Sequence, residues 1–317
     1  MTLSESIEAF VALKRSLGRK FVAEAWVLAR FGKFVTDAGC ELDAGTFTTW
    51  SASMSHLRAT TRRARLRIAR SLCLYRRRTV PGCFVPDADT FPSPQPYRRP
   101  YIFTRAEIAR LLAVADGLRP HELSPLRSSS YRLVVVLLYT AGLRRGELCR
   151  LRLGDFDDEE ATLQIRSSKF RKSRLVALST DAAMETRAFL EARRQLSDSD
   201  DDPLFVRWSK GEILERSGPG MGRALRLLFR RAGIRKSDGT TPRVHDLRHT
   251  HAVHALLRWY HAGEDVQARL PALAASMGHV SVASTAHYLS FVEPLAQAAS
   301  DKFARHCASI IQPEVGP

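Results

Sequence analysis

The chain has 317 residues, of which 44% are hydrophobic and 26% charged, a composition typical of a globular protein with room for two cores. No run approaches the roughly 18 apolar residues that cross a bilayer, and the first twenty residues lack a signal-peptide apolar segment, so we expect a cytoplasmic protein. The five cysteines are scattered and form no CxxC pair, which argues against a disulfide framework or a cysteine zinc site.

The charge is strongly basic. Lys and Arg number 49 against 33 Asp and Glu, which gives a net charge of +16. Residues 1–100 hold 17 basic and 8 acidic side chains, while the rest of the chain holds 32 and 25. Such an excess suits a nucleic-acid partner, because basic side chains release counterions from phosphates.

Residues 1–85 are predicted to form a helical domain, since apolar residues such as Phe10, Leu13 and Leu17 recur at helical spacing. The sequence from 45 to 86 has no acidic residue, yet it contains a run of nine arginines. Like charges repel each other along a helix, so the run is either a solvated helix face or a surface for an anionic partner. We predict that it binds DNA through Arg58, Arg62, Arg63, Arg65, Arg67, Arg70, Arg76, Arg77 and Arg78.

Six of the fifteen prolines lie at positions 81, 86, 92, 94, 96 and 100. Proline fixes its own backbone and biases the preceding residue toward extended conformations. We therefore expect a linker over residues 86–100 that joins the helical domain to a second domain over residues 101–317.

The second domain is predicted to be mixed α+β. Residues 133–139 form a continuous apolar helix core, and residues 161–167 and 173–179 alternate like two strands of a hairpin with a basic turn. A helix capped by Thr180-Asp181 is expected through about Leu196. Further helices are expected near residues 219–232, 246–259, 265–276, 281–289 and 294–311. The predicted fold class is thus mainly α with a small antiparallel β-sheet.

Three separated segments of this domain carry groups suited to phosphate chemistry: TAGLRRGE at 140–147, HDLRHT at 245–250 and GHVSVASTAHY at 278–288. Breaking a phosphodiester requires cations on the non-bridging oxygens, an in-line nucleophile and a proton for the leaving oxygen. Arginine presents a planar fork that matches phosphate. In the same chain we find neither a P-loop for ATP nor a carboxylate cluster of the two-metal kind, so we expect no metal and no ATP.

The three segments resemble, in order and internal spacing, the signature boxes of the tyrosine recombinases, the family of phage lambda integrase, Cre and the Xer recombinases. The resemblance covers essentially the whole chain and implies a helical DNA-clamping domain followed by a catalytic domain. It implies that DNA is cut and rejoined through a 3′-phosphotyrosyl intermediate. The matched catalytic positions are Arg144, His245, Arg248, His279 and Tyr288, with Glu147 and His249 as supporting residues.

The family also has a lysine in its β-hairpin, which acts as general acid on the leaving 5′ oxygen. The stretch from Lys169 to Leu178 fits this pattern, and Arg171 and Lys172 are further DNA-contact candidates. Two serines precede Lys169 where a glycine is common, so Lys172 stays open as the general acid. The 31 positions from Arg248 to His279 exceed the Xer spacing, and residues 259–270 are the expected insertion.

The resemblance implies double-stranded DNA as partner and a homotetramer on two DNA sites, or a hetero-assembly with related recombinases. The tail helix at 294–311 docks either on its own chain or on a neighbouring subunit. Two other classes stay open, a non-catalytic DNA-binding protein on the same scaffold and a type IB topoisomerase. His245-Asp-Leu-Arg-His249 mimics a zinc motif, but Arg248 inside it would repel a cation and Asp replaces the general-base Glu.

Overall fold

The computed structural model describes residues 2–39, 41–93, 99–166, 173–209, 212–279 and 281–291. The chain divides into two compact units, residues 1–98 and 99–317. The tip of the predicted hairpin and the tail helix at 294–311 lie outside the described residues. Among those that are described, no helix is both long and apolar enough to span a membrane.

The described part of the first unit is helical, as the apolar spacing predicts. Its helices bury a shared apolar core in which Phe31 and Trp50 lie 4.5 Å apart between ring centroids. Leu17, by contrast, follows the first helix as an exposed cap residue and does not extend the apolar face. The helices are α1 Leu3–Ser16, α2 Val22–Asp37, α3 Ala44–Ser53 and α4 Ala59–Arg76.

The described residues from 86 to 93 pack against the first unit. Phe91 is buried and stacks with Phe47 at 6.1 Å between ring centroids. Arginines of α4 bind this segment through its backbone, since Arg70 donates to the Pro86 carbonyl and Arg63 to the Pro92 carbonyl. The proline-rich stretch therefore begins as part of the helical unit.

The second unit is built around α6, whose side chains from Leu133 to Leu138 are almost all buried. Its helices are α5 Arg105–Asp116, α6 Arg127–Thr140, α7 Arg145–Cys149, α8 Thr180–Arg194, α9 Gly218–Arg231, α10 His245–His261, α11 Val266–Met277 and α12 Ala283–Ala286. A 3₁₀ turn, His287–Phe291, follows the last helix.

Small antiparallel sheets complete the second unit. The strands are β1 Phe156–Asp157, β2 Thr162–Ile165, β3 Arg174–Ala177, β4 Val206–Ser209 and β5 Glu212–Glu215. The predicted hairpin is confirmed as β2–β3, with Leu163 opposite Val176, and β1 adds a third strand to it. The β4–β5 pair was not predicted, because four-residue strands with polar ends give almost no periodic signal.

Two predicted elements differ in detail. Helix α8 is capped by the side chain of Ser179, one residue before the predicted cap, which accepts from the Ala182 amide. The expected helix at 281–289 is instead the short α12 followed by the 3₁₀ turn. This turn packs on α10 and buries Tyr288 in an apolar cluster with Leu256 and Met277.

Candidate active site

Arg144 lies at the N-cap of α7, directly after the turn at Gly142. Its backbone amide donates to Glu147 Oε2 at 2.9 Å and its Nη1 to Glu147 Oε1 at 2.7 Å. Nη2 donates to the Gly278 carbonyl at 2.8 Å, so the first and third sequence motifs meet at this side chain. The Arg144 guanidinium is therefore fixed on one edge while 24% of the side chain stays accessible.

Glu147 is held by a second arginine that the sequence did not single out. Arg174, the first residue of β3, donates from Nη1 and Nη2 to the two carboxylate oxygens at 3.1 and 2.9 Å. Its Nε donates to the Ser276 carbonyl at 2.7 Å. Burial alone raises the pKa of Glu147, but the hydrogen bonds from Arg174 and Arg144 outweigh it and lower the pKa to about 2.

Arg248 forms the floor of the site. Its side chain is almost fully buried, and Nη1 and Nη2 donate to the Gly142 and Met277 carbonyls, each at 2.5 Å. Among the described residues it has no carboxylate partner within salt-bridge distance. Burial lowers the pKa of this guanidinium to about 10, with a further contribution from the charge of Arg144. A largely buried positive charge without a counterion is a costly arrangement that favours an anionic ligand.

Two glycines make the close approach of these segments possible. Gly142 and Gly278 have φ values of +60° and +67°, which side-chain-bearing residues rarely adopt. A Cβ at Gly278 would lie 2.8 Å from Nη1 of Arg174, and one at Gly142 would lie 2.5 Å from Cδ2 of His251. At both positions glycine is therefore required, because the backbone has a positive φ and a neighbouring side chain occupies the space of a Cβ.

Tyr288 lies in this site with its hydroxyl 3.0 Å from Nδ1 of His249. The residue is 4% exposed, and its ring is nearly parallel to that of His279 at 6.2 Å between centroids. His245 is exposed on the preceding turn of α10 and packs edge-on against His249 at 4.6 Å. His249 and His279 thus pack against the tyrosine ring, and His249 is within hydrogen-bond distance of its hydroxyl.

His279 is oriented by a buried threonine. Nδ1 of His279 lies 2.7 Å from the hydroxyl of Thr285, which is completely buried. Burial, reinforced by the charges of Arg248 and Arg144, lowers the pKa of His279 to about 4, and burial lowers the pKa of His249 to about 4 as well. Both rings are therefore neutral at pH 7.

The predicted positions fall into three groups. Arg144, Glu147, Arg248 and His279 converge, together with Tyr288, on the turns at Gly142 and Gly278. His245 and His249 of α10 form the second group, in which His249 contacts Tyr288 and His245 packs against His249. The lysine and arginine of the hairpin tip, Lys169, Arg171 and Lys172, lie outside the described residues. The sequence did not predict the roles of Arg174 and Thr285. Their hydrogen-bond partners, Glu147 and His279, lie 27 and 6 positions away, and no local sequence pattern indicates contacts at these spacings.

The nine arginines of residues 58–78 have different environments in the first unit. Arg58, Arg67, Arg77 and Arg78 are exposed, and Arg63 and Arg70 hold the backbone of the following segment. Arg65 lies over the exposed ring of Trp26 at 5.2 Å. Arg62 and Arg76 each have a buried Nε with no hydrogen-bond acceptor in the described structure.

None of the described His, Cys, Asp and Glu residues are grouped in threes to hold a metal ion. The sequence from His245 to His249, which resembles a zinc motif, therefore forms no metal-ligand cluster within the described ranges. The two rings instead pack against each other and against Tyr288.

Comparisons with known proteins identify the family of the chain. The model of the phage integrase family matches residues 102–292, more than half of the chain. The chain is 30% identical over 293 residues to "Putative integrase/recombinase y4rB" of Sinorhizobium fredii, covering 91% of this chain and 93% of that protein. It is 32% identical to tyrosine recombinase XerA of Thermococcus kodakarensis, over 62% of this chain and 60% of that protein.

Solved structures show the same fold. The Tn1549 transposon integrase, solved with transposon right end DNA, superposes with a TM-score of 0.64 at 17% identity, covering 96% of this chain and all of that one. Lambda integrase bound to DNA gives a TM-score of 0.57 at 16% identity, covering 81% and 88% of the two chains. The chain belongs to the phage integrase family and is a tyrosine-type site-specific DNA recombinase.

Proposed function

We propose that this recombinase cuts one DNA strand by attack of the Tyr288 hydroxyl oxygen on a backbone phosphorus. The new bond joins Tyr288 to the 3′ phosphate, and the bond from phosphorus to the 5′ oxygen breaks. That oxygen takes up one proton and the tyrosine loses one, so the step needs neither ATP nor an oxidant. Attack of a 5′ hydroxyl on the phosphotyrosine reverses the step and rejoins the strand.

The observation that carries this proposal is the buried guanidinium of Arg248, which makes no salt bridge in the described structure and is held by two carbonyls instead. The remaining N–H groups of Arg248 are proposed to donate to the phosphate. Arg144 adds a second guanidinium that is partly accessible. Preorganised donors of this kind stabilise charge that develops on the non-bridging oxygens without the cost of reorienting water.

His249 is proposed as the acceptor of the tyrosine proton. It is neutral at pH 7, and its Nδ1 is already in hydrogen-bond contact with the Tyr288 hydroxyl. This gives His249 a direct role, beyond the supporting role expected from the family motif. His279, held by Thr285, and His245, at the open side, are proposed as donors to the non-bridging oxygens.

The leaving 5′ oxygen needs a general acid, and Lys169 is proposed for this role, with Lys172 as the alternative. Both belong to the loop between β2 and β3. Arg174 supports the assignment of the acid to this loop, because it attaches the first residue of β3 to Glu147 and Ser276 beside the candidate site.

Double-stranded DNA is the proposed substrate, bound by the helical unit through exposed arginines and by the second unit at the candidate site. Relatives of the same fold were solved with DNA, and the high positive charge of the first 100 residues supports the same partner here. The proposed assembly is a tetramer on two DNA sites, formed with itself or with related recombinases. A mobile genetic element is the proposed setting.

A suicide substrate with a nick beside the cleavage site tests the nucleophile. Wild-type protein should accumulate a covalent DNA adduct that resists denaturation, and Tyr288→Phe should bind the same DNA without forming it. Adduct formation by Tyr288→Phe would refute the assignment of the nucleophile. A type IB topoisomerase would relax supercoiled plasmid without joining two duplexes, whereas a recombinase should exchange strands between them.

A further inference from the structure

A second basic site lies beside His245 in the second unit. It is a pocket of about 330 Å³ between the end of α6, the start of α7, α9 and the residues before α10. Three arginines line it, Arg145, Arg226 and Arg243. His245 forms one of its walls and, through His249, also borders the candidate active site.

The charges of this pocket are largely uncompensated. Arg145 and Arg226 are exposed and make no ion pair or hydrogen bond within the described structure. Arg243 is paired with Asp246 at 2.9 Å, but the Asp246 side chain is completely buried and does not line the pocket. Other arginines of this unit, such as Arg132, are bound to carboxylates. The pocket thus presents two free guanidiniums and a third that is held in place.

Arg145 has a defined position because α9 leaves room for it. A Cβ at Gly222 would lie 2.6 Å from Nη1 of Arg145, and a Cβ at Gly218 would lie 3.6 Å from its Nε. The side chain therefore lies along the glycine-rich first turns of α9, where bulkier residues would displace it. The two glycines thus leave the Arg145 guanidinium space beside the pocket.

We propose that this pocket binds a phosphodiester of the DNA backbone other than the one that is cut. The inference rests on the proposed function, since it requires that DNA lies at the candidate active site. Guanidinium forks match the oxygens of a phosphodiester, and no carboxylate lines the pocket to repel it. His245, shared by both sites, places the two phosphates on one DNA molecule.

DNA-binding measurements in a Tyr288→Phe background separate this proposal from catalysis. The double variant Arg145→Gln/Arg226→Gln should bind duplex DNA about tenfold or more weakly, because it loses a charge-assisted contact. The slope of log affinity against log salt should become shallower by about 0.9, the value for one phosphate. Arg119→Gln, an exposed arginine outside the pocket, is the control for the loss of surface charge.

Single methylphosphonates, which remove the charge of one phosphate, identify the contact. One substitution away from the cleavage site should weaken binding by the Tyr288→Phe protein but not by the double variant. Equal affinity and equal salt slope for the double variant and Arg119→Gln would overturn the proposal. So would normal DNA binding combined with loss of strand exchange, since that result assigns the pocket to another protein. Failure of the proposed function is a different result, because the wild-type protein would then form no covalent adduct with the suicide substrate.

Discussion

The guanidinium of Arg174 holds both carboxylate oxygens of Glu147, although the two residues come from a strand and from a helix 27 positions apart. Glu147 also accepts from Arg144, so one buried carboxylate serves two arginines. The three groups together keep a net positive charge. Of these three groups, Arg144 is the one proposed to bind the phosphate, while Arg174 offsets the negative charge that would otherwise tie Arg144 to Glu147.

Replacing Arg174 with Gln should therefore lower both stability and cleavage. Loss of hydrogen bonds to a charged group costs about 1.5–3 kcal/mol in the free energy of unfolding, measurable by urea denaturation. The cleavage defect should shrink on a substrate with a methylphosphonate at the cut position, because a neutral phosphorus centre needs less positive charge. Arg187→Gln, which removes an exposed ion pair with Asp158, is the control and should change neither quantity much. A cleavage defect of equal size on both substrates would assign Arg174 a purely structural role.

We expect the loss of His249 to slow DNA cleavage more than the loss of a residue that only supports the site. Its Nδ1 is the group in contact with the Tyr288 hydroxyl, so His249→Phe should slow single-turnover cleavage by about a hundredfold or more, as for loss of a general base. DNA affinity should be nearly unchanged. His261→Gln, at the end of the same helix, should cleave at the wild-type rate. A wild-type rate for His249→Phe would leave another group as the proton acceptor.

Gly278→Ala tests the space beside Arg174. The substitution combines a positive φ with a Cβ only 2.8 Å from Nη1 of Arg174. Gly263→Ala is a matched control, since Gly263 has a φ of +72° but no neighbour within 4 Å of the added Cβ. Both should lose about 1 kcal/mol in the free energy of unfolding from backbone strain. Only Gly278→Ala should also lose cleavage, which a gel assay of adduct formation measures.

Stability should fall as the pH drops from 6.5 toward 4. Burial lowers the pKa of His249, His251 and His279 to about 4 each, so the unfolded chain binds protons on these rings before the folded chain does. Glu147, with a pKa of about 2 against an ordinary 4.5, adds its own loss only at lower pH. Urea denaturation at several pH values should give a shallower dependence for His279→Gln between pH 6.5 and 4.5. An unchanged dependence would contradict a buried neutral ring.

The arginines of α4 and of its C-cap, Arg77, should separate into two classes. Arg63 and Arg70 hold backbone carbonyls of residues 86–92, so their alanine variants should lose about 1–2 kcal/mol in the free energy of unfolding. Arg67 and Arg77 are exposed, so their variants should keep their stability and bind DNA with a shallower salt dependence. Thermal unfolding and binding titrations, measured side by side, distinguish the classes. Uniform effects on DNA affinity across all four variants would refute the division.

The sequence alone predicted the helical first unit, the β2–β3 hairpin and the residues that gather around Tyr288. Helix and strand periodicity are local properties of the chain, and the residues around Tyr288 were indicated by the resemblance of their motifs to those of the tyrosine recombinases. The division between the two compact units falls after residue 98, and the first residues of the proline-rich stretch pack with the helical unit.

Tertiary structure alone decided which side chains touch. His249 meets Tyr288 across 39 positions, and Arg248 meets the Gly142 carbonyl across 106. The roles proposed for Arg174 and for the two free arginines of the pocket, Arg145 and Arg226, could be inferred only once the fold had brought distant elements together. Hydrogen bonds and desolvation depend on three-dimensional neighbours, which sequence spacing does not specify, so the detailed partners and the pKa values of the site followed from the fold.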